Sequence, residues 1–300
     1  MREETPVARE MAHRGRQVAL EPGLHLIATP IGAARDMTLR ALDILTSADV
    51  LAAEDTRSLR HLMEIHGILL AGRPLLAYHD HNGAAVRPRL LAALAAGKAV
   101  AYASEAGTPL VADPGYQLAR ATIAAGHTIR AAPGPSAVLA ALAVSGLPSD
   151  RFLFAGFPPT AKGARQTFLA ELARVPATVI LFESPKRISR TLIELAQSFG
   201  EGREAAVCRE LTKRFEDVAR GTLQVLAGAF DGRDVRGEIV IVVGRPLPVE
   251  VGAATLDEAL GAALGVLTVK EAAAGVAAAL GLPRRDVYQR ALQIAAQARE

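Results

Sequence analysis

Short apolar runs alternate with helix-forming segments along most of this 300-residue chain. From residue 24 the alternation predicts strands at Leu24–Ala28, Val50–Ala53 and Leu75–Tyr78, with helices between them near Thr38–Leu45 and Ser58–His66. The pattern continues with a helix at Ala84–Ala96, a strand that ends at Ala103 and a further strand at Thr128–Ala132. Because strands separated by helices are typical of βαβ units, we predict an α/β domain with a largely parallel sheet.

A second alternating set follows the triplet Pro133-Gly134-Pro135, which leads directly into an alanine-rich predicted helix at Ser136–Val144. We interpret the triplet as a domain linker, a wall of a binding site, or both. The strands predicted after it are Arg151–Ala155, Ala177–Phe182, Glu204–Cys208, Glu216–Arg220 and Glu238–Val243. The helices predicted between them are Ala161–Arg174, Arg187–Ser198 and Leu223–Phe230. The sequence therefore predicts a second α/β domain.

After Arg245-Pro246-Leu247-Pro248 the pattern changes to short helices, predicted at Leu256–Ala263, Thr268–Leu280 and Arg284–Ala298. The last two resemble a helix-turn-helix, with Gly281 as the C-terminal cap of the first. We favour a small helical bundle over DNA binding, because residues 246–300 carry only five Lys and Arg against six Asp and Glu. We therefore predict a disordered extension at residues 1–22, α/β domains at residues 23–134 and 135–245, and a helical domain at residues 246–300.

Composition places the chain among soluble globular proteins, since half of its residues are hydrophobic and no apolar stretch approaches the roughly 20 residues of a membrane span. The first 22 residues carry four arginines and four glutamates and lack the apolar centre of a signal peptide. The single cysteine, Cys208, excludes an intrachain disulfide and suits the cytoplasm. The net charge of +3 is compatible with RNA binding but not diagnostic of it.

The loop Ser104–Pro109 directly follows an apolar strand and has the features of a ligand-binding turn. Gly107 and Pro109 predict a tight turn that leaves amides and carbonyls free to face a ligand. Just beyond it, Asp113 is predicted as the N-terminal cap of the next helix and Pro114 as its first residue. Open α/β sheets build their sites from such turns at the carboxyl ends of strands.

Polar clusters follow four of the predicted strands, and we expect them to line a cleft at one edge of the sheets. The clusters are Glu54-Asp55-Thr56-Arg57, His79-Asp80-His81-Asn82, Glu183-Ser184-Pro185-Lys186-Arg187 and Arg209-Glu210-Leu211-Thr212-Lys213. His79 and His81 lack a clear third ligand, so no metal site is predicted. The sequence also lacks a nucleophile elbow, a Gly-x-Gly-x-x-Gly turn and a Walker loop. These absences argue against a serine hydrolase, a dinucleotide-binding protein and a classical nucleotide-binding protein.

Motifs spread over residues 24 to about 244 resemble the tetrapyrrole methylase family, whose members use S-adenosylmethionine (SAM). In chain order they are Ala28-Thr29-Pro30-Ile31-Gly32, Thr38-Leu39-Arg40-Ala41-Leu42, Ala53-Glu54-Asp55-Thr56-Arg57, Tyr78-His79-Asp80-His81-Asn82, Gly107-Thr108-Pro109, Asp113-Pro114-Gly115-Tyr116, Pro133-Gly134-Pro135-Ser136-Ala137, Ser145-Gly146-Leu147-Pro148, Asp150-Arg151-Phe152, Phe182-Glu183-Ser184-Pro185, Arg209-Glu210-Leu211-Thr212-Lys213 and Arg220-Gly221-Thr222-Leu223. The similar subgroup usually has Asp at Glu105, His at Lys186 and Asn-Leu at Ala33-Ala34.

The resemblance implies that SAM lies in a cleft between the two α/β domains. The matching cofactor positions are Pro30, Ala106, Gly107, Thr108, Val111, Ser136, Ala137, Glu183 and Leu211. The similar subgroup methylates a ribose 2′-hydroxyl of 16S rRNA in the small ribosomal subunit, at cytidine 1402 of the decoding centre. Its members commonly form homodimers. Two alternatives remain open: methylation of a tetrapyrrole or other small molecule, and a non-catalytic ribosome-binding module.

Methyl transfer to a ribose hydroxyl needs alignment of the reacting atoms, aided by a general base or by a cation that stabilises the forming alkoxide. The groups available in the predicted cleft are Glu54, Asp55, Glu105, Glu183, Lys186, Glu210 and Lys213. We predict Lys213 and Glu210 as catalytic. We predict Arg57, Arg209 and His79 as contacts to RNA phosphates. An ion-pair network that joins the domains is the alternative explanation for these charges.

Overall fold

The computed structural model describes residues 15–246, 253–280 and 282–297. It contains two compact units. The larger consists of the described residues up to Leu172 together with Ala177–Gly244, and the smaller of Ala173–Pro176 and the described residues from Arg245 onward. The larger unit holds two five-stranded sheets, whereas the smaller consists of helices.

The first sheet is entirely parallel, as predicted. Its strands are β1 (Gly23–Ile27), β2 (Val50–Ala53), β3 (Leu75–Ala77), β4 (Ala99–Ala103) and β5 (Ile129–Ala132), in the spatial order β3-β2-β4-β1-β5. Each residue of β1, β2 and β4 is buried, because both faces of the sheet are covered. The side chains alternate between two hydrophobic clusters, so that Leu51 packs in one and Val50 in the other.

The helices that accompany this first half of the chain are α1 (Leu39–Ser47), α2 (Thr56–Ile65), α3 (Gly83–Ala95), α4 (Gly115–Ala124) and α5 (Ala137–Ser145). The first, second and fifth begin at side-chain caps: Thr38 accepts the N–H of Ala41, Asp55 those of Arg57 and Ser58, and Ser136 that of Leu139. The start predicted for α4 is displaced by one residue, since Pro114 holds the cap position. Asp113 nevertheless accepts the N–H of Gly115 at 2.7 Å.

The second sheet is mostly antiparallel. Its strands are β6 (Phe152–Phe154), β7 (Thr178–Glu183), β8 (Glu204–Arg209), β9 (Asp217–Thr222) and β10 (Ile239–Val243), in the order β6-β7-β10-β8-β9, with α6 (Lys162–Ala173), α7 (Ile188–Phe199) and α8 (Leu223–Phe230) between them. Only β6 and β7 pair in parallel. The short connection between β8 and β9 explains their antiparallel pairing, because a parallel pair needs a crossover of about a dozen residues.

The amino-terminal end of the described chain is ordered against α1, which corrects part of the sequence interpretation. Residues 1–14 of the predicted disordered extension lie outside the described residues, but residues 15–22 are held in place. Arg16 donates its N–H to Asp43, and Val18 donates its N–H to Ser47. Glu21 forms an ion pair with Arg130 at the start of β5. These contacts give residues 15–22 hydrogen-bond partners that a disordered segment would lack.

The smaller unit is built from α9 (Ala253–Leu264), α10 (Val269–Leu280) and α11 (Arg284–Gln297). Leu260, Ala273 and Val287 are fully buried in its core. Arg290 holds Asp257 through two hydrogen bonds of 2.7 and 2.6 Å. The predicted cap at Gly281 lies outside the described residues. None of the helices in the described ranges has the length and apolar character needed to cross a bilayer.

Candidate active site

A cavity of about 700 Å³ lies within the larger unit, where the carboxyl ends of β1, β2, β4 and β7 meet the start of β10. It is within the range of about 300 to 1,000 Å³ that is usual for small-molecule sites. The residues that line it are Pro30, Ile31, Gly32, Glu54, Ser58, Glu105, Ala106, Val111, Ala112, Asp113, Ala137, Phe157, Phe182, Glu183, Ser184, Pro185, Cys208, Leu211, Lys213, Gly237, Glu238, Ile239 and Val240. Segments from three of the four predicted polar clusters meet here; the cluster around His79 does not line the cavity.

The predicted ligand turn is tied to its neighbours by hydrogen bonds. Gly107 exchanges two backbone hydrogen bonds of 3.0 Å with Thr29, and Thr108 donates its hydroxyl to the carbonyl of Pro135 at 2.9 Å. The expectation that this turn leaves its amides and carbonyls free is therefore wrong for Gly107. Ala106 does line the cavity. Gly107, Thr108 and Ser136 lie outside the lining, and a contact from them to a cofactor stays a prediction.

A glycine allows the loop after β1 to approach the loop after β8. A Cβ atom on Gly32 would lie 2.5 Å from Cγ of Lys213 and 2.6 Å from Oγ1 of Thr212. Real Cβ atoms do not approach that closely, so a side chain at position 32 would push the two loops apart. Next to it, Ala33 donates its N–H to Oγ1 of Thr212 at 3.0 Å. This contact joins segments that are 179 residues apart, next to the lining residues Gly32 and Lys213.

Left-handed backbone conformations concentrate in two of the cavity loops. Among the described residues, five that are not glycine have positive φ, and four of them belong to these loops. The four are Leu110, Ala112, Glu210 and Thr212, at 70°, 54°, 52° and 65°. Val111 and Leu211, which the sequence predicts as cofactor contacts, are each flanked on both sides by such a residue. Such conformations cost about 1 to 3 kcal/mol each and occur where the surrounding structure fixes a loop for binding.

Lys213 is held between two carboxylates at the cavity wall. Its ammonium donates to Oε1 of Glu210 and to Oε2 of Glu238, both at 2.8 Å. Burial lowers the pKa of Lys213, but these hydrogen bonds outweigh burial and raise the pKa above its ordinary value. Lys213 is therefore a cation at neutral pH, and it cannot act as a base.

Glu210 lies behind Lys213 and outside the cavity lining. Its Oε1 also accepts the N–H of Glu238 at 2.9 Å. The hydrogen bonds from Lys213 and then from Glu238 lower the pKa of Glu210 below its ordinary value. A Cβ on Gly237 would lie 2.4 Å from Cδ of Glu210, so glycine is needed at this position just before β10. The geometry makes Glu210 a support for the Lys213 ammonium.

Glu183, at the end of β7, has both carboxylate oxygens engaged within the protein. Oε1 accepts the N–H of Ser184 at 2.8 Å, and Oε2 accepts the hydroxyl of Thr191 at 2.6 Å. The guanidinium of Arg187 lies 3.3 Å from Oε1. The Glu183 side chain is inaccessible to solvent yet borders the cavity. It is therefore a fixed negative charge in the wall.

Glu54, directly after β2, borders the cavity beside several other carboxylates. Burial raises the pKa of Glu54 to about 7, and so do, in decreasing order, the negative charges of Asp113, Glu105, Asp80 and Asp55. Asp113, whose charge raises the pKa of Glu54 more than the other three do, accepts a hydrogen bond from the hydroxyl of Tyr102 at 2.9 Å. Burial raises the pKa of Asp113 as well. This side of the cavity therefore carries a dense group of acids, one of which changes protonation near neutral pH.

An exposed aromatic ring also borders the cavity. Phe157 is 55% exposed, and its ring centre lies 5.5 Å from that of Phe182. The loop that carries it is held by two arginines, since Arg187 donates to the carbonyl of Pro158 at 2.6 Å and Arg165 to that of Thr160 at 2.7 Å. Arg165 is buried and forms two hydrogen bonds with the carboxylate of Glu194. Phe157 thus stands on a rigid support.

The three residues predicted to contact RNA lie outside the cavity lining. The side chain of Arg57 is 91% exposed and pairs with Asp55 at 3.3 Å. Arg209 lies 3.9 Å from Asp217 across β8 and β9. His79 packs its ring against His81, with 5.9 Å between the ring centres. In the described ranges, no three histidine, cysteine or acidic side chains are arranged to hold a metal ion.

Sequence reasoning missed several lining residues, chiefly Phe157, Asp113, and residues 237–240 at and just before the start of β10. Phe157 closely follows β6, so its position after a strand could have identified it. Asp113 lies well beyond the end of β4, just before α4, and the sequence predicted it only as a helix cap. The start of β10 had no such signal, because it reaches the cavity through antiparallel pairing. Ile239 lies opposite Glu183 on one side and Arg209 on the other.

Comparison with known proteins identifies relatives over most of the chain. Residues 23–227 match the family described as Tetrapyrrole (Corrin/Porphyrin) Methylases, and residues 250–295 match the RsmI C-terminal HTH domain. A protein of Mesorhizobium japonicum called Ribosomal RNA small subunit methyltransferase I is 47% identical over 279 residues, which are 92% of this chain and 93% of that protein. A protein of the same name from Xylella fastidiosa is 44% identical over 271 residues, which are 89% of this chain and 98% of that protein.

A solved structure shows the same fold. The crystal structure of uroporphyrin-III C-methyltransferase from Thermus thermophilus, complexed with S-adenyl homocysteine, aligns with 74% of this chain and 97% of its own. The TM-score is 0.50 and the sequence identity 21%.

Proposed function

The chain belongs to the tetrapyrrole methylase family, among the relatives called ribosomal RNA small subunit methyltransferase I, and from that premise we propose that it methylates small-subunit rRNA with SAM. The specific reaction we propose is 2′-O-methylation of a ribose in 16S rRNA, at cytidine 1402 of the decoding centre. The observation that carries the proposal is 47% identity over nearly the full length of both proteins. We place the reaction in the cavity whose loops contain residues with left-handed backbone conformations.

The lining of the cavity fits SAM in size and in charge. Pro30, Ala106, Ala137, Val111 and Leu211 give an apolar wall suited to an adenosine. The fixed carboxylate of Glu183 and the acids near Glu54 favour a cationic group such as a sulfonium. SAM, when bound, supplies a methyl group activated by its positive sulfur. We propose that the residues named here hold it, with Gly107, Thr108 and Ser136 shaping the loops behind them.

Lys213 and Glu210 have distinct parts in this proposal. The Lys213 ammonium stabilises negative charge that develops on the attacking ribose oxygen, since it is protonated and borders the cavity. Glu210, together with Glu238, holds that ammonium in one position. The prediction that both residues are catalytic is thus refined to one electrostatic group and one positioning residue.

The RNA is proposed to approach across residues outside the cavity lining, among which Arg57 is exposed and Arg209 and His79 are partly buried. Arg57 and Arg209 suit phosphate recognition, because a guanidinium can donate two parallel hydrogen bonds to phosphate oxygens. His79 is proposed as a further contact. We also propose that the protein acts in the cytoplasm and as a homodimer, which would extend the surface offered to a structured RNA.

The proposal is tested by methyl incorporation from labelled SAM into small ribosomal subunits that lack the modification, followed by mapping of the nucleotide. We expect one labelled ribose at the decoding centre. Label in a tetrapyrrole and none in the subunit would replace the proposed acceptor. SAM binding by calorimetry separates both outcomes from a non-catalytic ribosome-binding module, which would bind the subunit without SAM.

Lys213→Ala should reduce methyl transfer by about 100-fold, the usual loss when one preorganised donor to a developing oxyanion is removed. SAM affinity, measured by calorimetry, should stay at the wild-type value. Lys162→Ala, on the exposed start of α6, is the matched control and should leave both quantities unchanged. Wild-type turnover by the Lys213 variant would contradict the electrostatic assignment.

A further inference from the structure

The proposed reaction needs a group that accepts the proton of the ribose hydroxyl, and Lys213, being protonated, cannot do so. Five carboxylates of the described residues border the cavity: Glu54, Glu105, Asp113, Glu183 and Glu238. Both oxygens of Glu183 accept hydrogen bonds, from Ser184 and Thr191, and the exposed Glu238 accepts one from Lys213. Asp113 accepts from Tyr102 and Gly115 through Oδ1, and its Oδ2 is buried. An oxygen that is buried or already accepts a donor is not available to the ribose hydroxyl.

Glu105 and Glu54 are the two left, and their surroundings differ. Glu105 is exposed, so water competes for its oxygens. Glu54 is partly buried, and within the described ranges no residue donates a hydrogen bond to its carboxylate. A partly desolvated carboxylate with no donor of its own retains its affinity for a proton. Its free oxygens are available to a hydroxyl that enters the cavity.

We propose that Glu54 is the general base of the methyl transfer, an assignment that rests on the proposed function. The carboxylate of Glu54 takes the proton as the O–H bond of the ribose 2′-hydroxyl breaks. The hydroxyl oxygen forms its bond to the methyl carbon while the carbon–sulfur bond breaks, and that electron pair stays on sulfur, which becomes neutral. The products are a 2′-O-methyl ribose, a thioether and protonated Glu54.

The backbone of Glu54 is fixed by the sheet. The preceding residue, Ala53, is buried and lies between Ala77 of β3 and Ala103 of β4. Its carbonyl accepts the N–H of Tyr78 at 2.8 Å. The following residue, Asp55, caps α2. A base placed between a buried strand and a capped helix keeps its position without a hydrogen-bond partner of its own.

The charges around Glu54 adjust its proton affinity to the task. They come from every neighbouring loop: Asp113 before α4, Glu105 after β4, Asp80 after β3 and Asp55 at the start of α2. Together with burial, which is the largest cause, they raise the pKa of Glu54 to about 7. A general base is most effective when its pKa lies near the working pH.

A titration without RNA or SAM tests the environment of Glu54 directly. Carbon-13 NMR of the labelled glutamate carboxyls should show one that titrates near pH 7 in the wild type and is absent in Glu54→Gln. In Asp113→Asn the same resonance should titrate at lower pH, because a negative neighbour has been removed. If every glutamate carboxyl titrates below pH 5, the assignment is overturned.

The kinetic test uses single-turnover methyl transfer to unmodified small subunits. At saturating SAM, Glu54→Gln should lower the rate by about 100-fold or more. The wild-type rate should rise with pH to a plateau with its midpoint near 7, and Asp113→Asn should move that midpoint to lower pH. Glu64→Gln, an exposed glutamate on α2, is the matched control and should behave as the wild type.

The results also separate this assignment from the proposed function. If the wild type methylates subunits and Glu54→Gln does so at the same rate and with the same pH profile, only the assignment of the base is overturned. The same holds if Glu105→Gln shows the loss instead. If the wild type itself transfers no methyl group to subunits, the proposed function fails and the base assignment fails with it.

Discussion

At the scale of single residues, the site depends on a few positions whose neighbours come from distant parts of the chain. Gly32 is one, because the loop after β1 can touch Thr212 and Lys213 only in the absence of a side chain. Glu183 is another, since its carboxylate accepts from Ser184 and Thr191 and holds the start of α7 against the end of β7. Each of these residues sets the position of others that border the cavity.

Replacing Gly32 with alanine should destabilise the protein by about 1 to 3 kcal/mol, the usual cost of overpacking. The new Cβ would meet the side chains of Lys213 and Thr212 and the carbonyl oxygen of Leu211. Urea unfolding measures the change. Gly163→Ala on the exposed face of α6, where nothing lies within 4 Å, is the control and should be neutral or stabilising by up to about 1 kcal/mol. Equal stability of the two variants would contradict the proposed close approach.

At the scale of elements, α6 and α7 are joined by an ion pair with little access to water. Arg165 on α6 donates two hydrogen bonds to Glu194 on α7, at 2.5 and 2.8 Å, and its side chain is 2% exposed. The same guanidinium donates to the carbonyls of Pro159 and Thr160. The packing of two helices is thereby coupled to the loop that carries Phe157.

Glu194→Gln should lower the free energy of unfolding by about 3 kcal/mol at pH 7, because it leaves the buried Arg165 charge without its carboxylate. The hydrogen bond from Arg165 lowers the pKa of Glu194, so the folded state binds this proton less well than the unfolded chain. The stabilisation is present above the ordinary pKa of glutamate and is lost as the pH falls through the folded value.

The difference between wild type and Glu194→Gln should therefore shrink below about pH 4. Urea unfolding at neutral and acid pH measures it. Glu171→Gln, an exposed glutamate on α6, should match the wild type at both pH values. A difference that stays constant with pH would argue against the ion pair as the cause.

At the scale of the whole molecule, the cavity belongs to one compact unit. Its lining runs from Pro30 to Val240, all within the α/β unit that ends at Gly244. The helical unit has a core of its own around Leu260, Ala273 and Val287. The two units therefore need not share the task of binding a cofactor.

A variant that ends at residue 246 should bind SAM with the affinity of the full chain, because every residue of the lining is retained. Calorimetry with both proteins measures this, and circular dichroism checks that the shorter one is folded. A folded variant with much weaker binding would show that the helical unit contributes to the site.

Part of this result was available from the sequence alone. The alternation of apolar runs and helical segments predicted the parallel first sheet, since its inner strands β2 and β4 are buried on both faces and apolar throughout. Sequence motifs likewise indicated the family before any geometry was known. Local patterns carry this information because the spacing of apolar residues and the capping of helices involve residues close together in the chain.

The tertiary structure decided how charges and backbone groups are used. Lys213 and Glu238 are 25 residues apart, and Ala33 and Thr212 are 179 apart, so no local pattern relates them. The sequence alone could not show that the amide of Gly107 is bonded to Thr29, that Lys213 is held as a cation, or that Glu54 has no donor among the described residues. Desolvation and hydrogen bonding depend on which distant segments meet, and these interactions decide which carboxylate can take a proton.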